Sequence, residues 1–263
     1  MTGSLNFLNI PHRGQKPRQV GLTLVRDPGL SARQLEEMLD TFGEFVDYAK
    51  IKQFELFYMG AELTRSKVAL YRHHSVTPFC GGTVIEAAII RDKVAQTLSA
   101  LHEIGFRAIE LSDNIVELTL AEKIALVRQA VAAGFEVLFE YGKKYDQDPI
   151  DVASASDEIQ TLMQAGASRI ILERSQLDAT LGPDGKSATA GRLEELAARV
   201  GMRSVIFEAE TPNHQLWLLH TFGPEVNLGP NISLEYVVSN LEPARCGLGR
   251  AEGYTFFEKL RNA

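Results

Sequence analysis

Four stretches of this chain repeat one pattern: a glycine, a short variable step, an apolar run rich in β-prone residues, and then a glutamate. They are "GFRAIEL" with Glu110, "GFEVLFE" with Glu140, "GASRIILE" with Glu173 and "GMRSVIFE" with Glu208, at intervals of 30, 33 and 35 residues. A short apolar run bounded by glycine reads as a buried strand. An amphipathic helical stretch precedes each glycine, over 83–104, 119–133, 154–165 and 187–200, and glycine suits the left-handed cap that ends a helix. The first half keeps the rhythm: "QVGLTLV" leads to Asp27, "VDYAKI" carries Lys50, and "SVTPFCGGT" ends in a glycine turn. "EVNLG" over 225–229 gives an eighth strand, and further helices are expected over 31–43, 61–73, 212–222 and 233–241. Ser31 with Gln34, Thr83 with Glu86, and Thr119 with Glu122 have capping-box spacing. Eight strands alternating with helices in 263 residues predict a (β/α)8 TIM barrel, with an open doubly wound sheet as the alternative.

Domain organisation follows from the same rhythm. No linker interrupts it, so 18–263 reads as a single α/β domain behind a polar arm, 1–17, that holds Pro11 and Pro17 and is laid over a neighbouring surface. A 45% hydrophobic content supplies a large core and excludes global disorder. The net charge of −7 disfavours nucleic acid or an anionic membrane as partner, yet leaves room for a small anionic substrate at a local lysine cluster. Cys80 and Cys246 stand outside any CxxC pattern, which argues against a disulfide framework or structural zinc. With no signal-like start and no run of about 18 apolar residues, a cytoplasmic protein is expected, and we expect a homo-oligomer.

In such a barrel the strand C-termini share one face, where active sites lie. Glu110, Glu140, Glu173 and Glu208 then converge, with Asp27 and Lys50 on the same rim. Clustered carboxylates repel, so a divalent cation, paired lysines or bound protons must offset the cost. Mg²⁺ prefers oxygen ligands and keeps sites open for substrate. For any one glutamate the competing reading is a salt bridge or a helix cap. Lys50 interrupts an apolar strand and is expected to point inward with a partner. Lys143 and Lys144 follow Glu140 on a glycine hinge, and Lys143, nearer the strand end, is expected to face the mouth. Gly81 and Gly82 offer backbone N–H groups at a helix start. Glu86 reads as a helix cap, and Asn227 as either a substrate ligand or a turn residue. The polar loop 142–153 is expected to cover the mouth.

Several motifs together, "GLTLVRDPGL", "VDYAKI", "GGTVIE", "IELSD", "FEYGKK", "IFEA", "VNLG" and "LEPARCGL", resemble those of the phosphosulfolactate synthase family, from about Lys16 to Gly249. The resemblance implies a TIM barrel and a lyase that adds sulfite to phosphoenolpyruvate, or a related enol acid, with Mg²⁺ or Mn²⁺. It puts Asp27, Lys50, Glu110, Asp113, Glu140, Lys143, Lys144, Glu173, Glu208 and Asn227 at family-like positions. On this reading Glu140, Glu173 and Glu208 hold the metal. Lys143, Lys50, Glu110 and Asp27 serve catalysis. Lys144, Asp113, Asn227, Arg245, Gly81 and Gly82 bind substrate. The chain also departs from the family pattern. "IKQFELF" replaces a small Gly- and Thr-rich turn, Glu210 is added after Glu208, and Cys246 and a displaced Arg250 alter the terminal arginine run. Those departures predict weak or absent turnover of phosphoenolpyruvate with sulfite. They keep two alternatives open: a different, non-phosphorylated substrate, or a non-catalytic stress or interaction relative.

Overall fold

The computed structural model describes residues 4–8, 13–145 and 147–248. Pro11, Gly249, Arg250 and the rest of 249–263 lie outside the described residues. Eight parallel strands close into a barrel in chain order. They are β1 (Thr23–Arg26), β2 (Tyr48–Ile51), β3 (Thr77–Cys80), β4 (Ala108–Leu111), β5 (Glu136–Tyr141), β6 (Arg169–Leu172), β7 (Val205–Phe207) and β8 (Leu228–Ile232). β1 pairs with β8 to complete the ring.

Side chains alternate across the barrel wall, as a pleated strand requires. One set, Leu22, Leu24, Phe79, Ala108, Leu138, Ile171 and Ile206, packs inside the barrel. The alternate set, including Val25, Ala49, Ile109, Val137, Ile170 and Phe207, packs outward in the larger core shared with the helices. This alternation decides which strand-end residues reach the mouth. A step of two from Leu24, Ala108, Leu138, Ile171 and Ile206 gives Arg26, Glu110, Glu140, Glu173 and Glu208 on the inner face.

The helices match the expected spans with physical exceptions. The stretch 83–104 divides into Gly82–Ile90 and Val94–Ile104 at Asp92, whose φ of 52° cannot continue a helix. Two short helices, Gln53–Tyr58 and Arg174–Leu181, occupy connections with no helical expectation. The Ser31 and Thr119 caps form, the latter with a complete capping box. The Thr83 cap does not: the helix starts at Gly82, and Glu86 turns instead to the loop after β4, accepting from Ser112 Oγ, Ile115 N and Val116 N.

The arm crosses the strand N-termini. Arg13 donates to Gly21 O and to Phe45 O (2.7 Å) and pairs with Glu242 (2.8 Å) and Asp47 (3.5 Å). Lys16 Nζ caps Gly43 O at 2.7 Å and Ser75 O at 3.0 Å. Among the described residues no helix is long and apolar enough to cross a membrane.

Candidate active site

The mouth is electrically divided. Glu110, Glu140, Glu173 and Glu208 line it on β4 to β7, and Arg26 and Lys50 face them from β1 and β2, where they are register neighbours. Lys50 Nζ lies 2.7 Å from Glu110 Oε1. Burial alone would lower the Lys50 pKa, but Glu110, Glu140 and Glu208 together hold it above the ordinary lysine value. The same Glu110 oxygen accepts from Gly82 N at 2.9 Å. A Cβ at Gly82 would stand 2.2 Å from Ser112 Oγ, so only glycine lets the helix start approach β4 this closely.

Burial, and then the Glu110 charge, push the Glu140 carboxyl up to about 7. Burial and the Glu140 charge push Glu208 up to about 8. Asn114 Nδ2 donates to Glu140 Oε1 at 2.5 Å, and Asn231 Nδ2 donates to Glu208 Oε1. Glu110 Oε2, Glu208 Oε2 and Asn231 Oδ1 are buried and accept from no described residue. These are hard oxygen donors in need of a proton or a cation. No preformed set of three or more His, Cys, Asp or Glu ligands stands among the described residues. Glu173 shows why the expected trio is not assembled: one of its oxygens caps Ser175 N at the start of Arg174–Leu181. Burial raises its pKa, and that cap opposes the rise. Mg²⁺ needs only one or two protein carboxylates beside water and substrate oxygens, so Glu140 and Glu208, with Glu110 adjacent, fit such an ion.

Other expected site residues lie elsewhere. Asp27 is one step past the inward Arg26, so it points outward, where it accepts from Lys67 and from Tyr71 Oη (2.7 Å). Lys67, wholly buried, also pairs with Glu55. Asn227 precedes β8 and sits at the opposite end of the barrel, accepting from Leu22 N (3.0 Å) and donating to Val205 O (3.0 Å). Arg245 is at that end too, donating to Val226 O at 2.9 Å and to Leu22 O at 3.3 Å. Neither reaches the mouth. The Gly81 and Gly82 N–H groups are already spent, on Ile51 O (3.1 Å) and Glu110.

Lys143 does not turn to the mouth glutamates. Gly142 turns the chain at a φ of 109°, and Lys143 reaches back to Asp113, 2.7 Å from Oδ2. Asp113 also holds Lys123 at 3.0 Å, which anchors this cluster outside the mouth. Lys144 is the ammonium whose charge reaches Glu140 and Glu173. The loop after β5 is laced to its neighbours by Lys144 N to Asn114 Oδ1 (3.2 Å) and Tyr145 N to Ser175 Oγ (2.9 Å).

Arg26, Lys52, Asn114 and Asn231 had no place in the expected site. The signal for Arg26 was present: period two from Leu22 and Leu24 lands on it.

A sequence-family model described as (2R)-phospho-3-sulfolactate synthase (ComA) matches residues 11–250. The phosphosulfolactate synthase of Methanothermobacter thermautotrophicus is 31% identical over 250 residues, covering 93% of this chain and 95% of that protein. An Arabidopsis thaliana protein named HEAT-STRESS-ASSOCIATED 32 is 22% identical over 246 residues, 82% of this chain and 83% of its own. Among solved structures, 3-hexulose-6-phosphate synthase from Salmonella typhimurium superposes with a TM-score of 0.53 at 13% identity, over 90% of this chain and 99% of its own. That likeness speaks to the fold alone.

Proposed function

The chain belongs to the phosphosulfolactate synthase family, an enzyme family of lyase-like synthases, and from this premise we propose that it adds an anionic nucleophile such as sulfite to phosphoenolpyruvate or a related unsaturated acid. The divided mouth carries the reading: cations on β1 and β2 face buried carboxylates with unsatisfied oxygens on β4 and β7. Glu140 and Glu208 would hold Mg²⁺ or Mn²⁺, which when bound would neutralise the substrate carboxylate and the enolate-like charge that develops there. In the addition, the sulfur lone pair forms a bond to the terminal alkene carbon. The π pair moves onto the carbon bearing the carboxylate, and one proton joins that carbon; no group leaves. Of the two lysines after β5, Lys144 is assigned the proton, because Lys143 is bound to Asp113 while the Lys144 charge reaches Glu140 and Glu173. Lys50 anchors Glu110 and keeps a fixed positive charge beside the reacting carboxylate. A cytoplasmic, homo-oligomeric enzyme belongs to the same proposal.

The helix Gln53–Tyr58 favours a related acceptor over phosphoenolpyruvate itself. It follows β2 at the rim and exposes Phe54, Phe57 and Tyr58 where the family pattern has a small turn. The test is to offer purified protein sulfite with a panel of unsaturated acids, phosphorylated and not, and to detect the carbon–sulfur adduct by NMR. Adduct formation with at least one acid is expected, dependent on Mg²⁺ or Mn²⁺ and lost in Glu140→Gln. No adduct with any acid, together with no divalent-ion binding by calorimetry, would overturn the lyase reading in favour of a non-catalytic relative.

A further inference from the structure

Arg26 is a cation in an unfavourable place. It ends β1 on the inner face, in register with Lys50 on β2, and like charges on adjacent strands repel. Lys50 has its counter-ion in Glu110 at 2.7 Å. The Arg26 side chain makes no hydrogen bond or ion pair among the described residues, and it is exposed to the mouth. Two residues beyond Lys50, Lys52 adds a third positive charge. Burial first, then the Lys50 and Arg26 charges, lower its pKa, with Glu210 and Glu208 opposing the fall. Glu210 lines this corner too, but its carboxylate is engaged by Arg174 at 2.7 Å.

The corner also has room. A cleft of about 190 Å³ opens between β1, β7 and β8, lined by Arg26, Glu210, Gln215, Asn231, Ser233 and Tyr236. One liquid water takes about 30 Å³, so the cleft accepts a tetrahedral group with part of its hydration. A guanidinium fork matches two oxygens of such a group, and the hydroxyls of Ser233 and Tyr236 stand in the same lining.

We propose that Arg26, supported by Lys52, is the anion-binding and specificity-determining residue of this site, seating the phosphoryl group of a phosphorylated substrate in the cleft between β1 and β8. The cleft lies on the far side of the mouth from Lys144, so a substrate anchored at Arg26 extends its reacting carbons toward Glu140 and Glu208. The assignment rests on the proposed lyase function for what the substrate does next, but its test does not depend on turnover. Inorganic phosphate is titrated calorimetrically into wild type, Arg26→Met, Lys52→Met and Glu210→Gln, with circular dichroism confirming that each folds. Saturable binding to wild type is expected, weakened about tenfold in Arg26→Met, the loss of one charge-assisted contact, weakened less in Lys52→Met and strengthened in Glu210→Gln. Absence of saturable phosphate binding to folded wild type, or equal affinity in Arg26→Met, overturns the proposal. Phosphate binding that follows this order while every acid fails in the adduct assay would keep the subsite and sink the reaction.

Discussion

Two neighbouring lysines after β5 keep different electrostatic company. Lys143 is 48% exposed at its side chain and is committed to Asp113, which Lys123 shares. Lys144 carries its charge to Glu140 and Glu173. A donor that protonates a developing carbanion contributes about 10²–10⁴-fold, so Lys144→Met is expected to lose activity on that scale with whichever acid forms the adduct. Lys143→Met should keep most of it, at the cost of a looser Asp113. Rate measurements on both variants check this; a dead Lys143→Met beside a normal Lys144→Met would return the proton to Lys143. The pair shows what single residues concede to sequence reading. That the two lysines point to different sides was legible from the glycine hinge. Which of them turned to which side was not, because the outcome depends on the turn at Gly142, and a left-handed φ redirects every side chain after it.

At the scale of elements, register governs the rest of the site. The four Gly-apolar-Glu strands were readable because each apolar run ends on an inward residue, so Glu110, Glu140, Glu173 and Glu208 reach one mouth. The first strand breaks that rule by one residue: its acidic end, Asp27, faces outward, and the basic residue before it faces inward. In "VNLGPNIS", Asn227 and Asn231 are four apart and sit at opposite ends of β8, and sequence alone did not say which lay at the mouth. Asp27 instead belongs to a buried network that fastens Gln53–Tyr58 to Ala61–His73 through Glu55 and Lys67. Burial, then the hydrogen bond and charge of Asp27, push Glu55 up to about 7, against the pull of Lys67. A carboxyl raised on folding gives stability that is fully present below its ordinary pKa, near 4.5, and lost as pH rises through about 7. Wild type should therefore lose stability relative to Glu55→Gln between pH 5 and pH 8, measured by urea denaturation. A difference that stays constant, or grows in favour of wild type with pH, would show that Glu55 is charged throughout. Lys67→Met should cost about 3–5 kcal/mol, since it strands two buried carboxylates.

The whole molecule has two ionic ends with an apolar plug between them. Leu22, Leu24, Phe79, Ala108, Leu138, Ile171 and Ile206 fill the middle of the barrel, and a strand of four residues spans about 13 Å. The mouth leaves carboxylate oxygens of Glu110 and Glu208 without a hydrogen-bond partner among the described residues and leaves Arg26 exposed. At the opposite end, Arg13, Arg18 and Arg245 are bound by Asp47, Glu44, Glu242 and strand-start carbonyls. Burial first, then Arg13, lowers the Arg245 pKa to about 9, with Glu242 and Asp47 opposing the fall. The arm is thus a structural closure rather than a substrate element, and its charges should be separable from function. Arg13→Met leaves Glu242 and Asp47 with less of their counter-charge and removes the donor to Phe45 O, so a loss of about 3–5 kcal/mol is expected, the cost of breaking a buried pair. Phosphate affinity should remain that of wild type, because the plug keeps the two ends apart. Thermal melting and phosphate calorimetry on this one variant test both halves: unchanged stability would deny the closure, and weakened phosphate binding in a folded variant would mean that the ends communicate through the barrel.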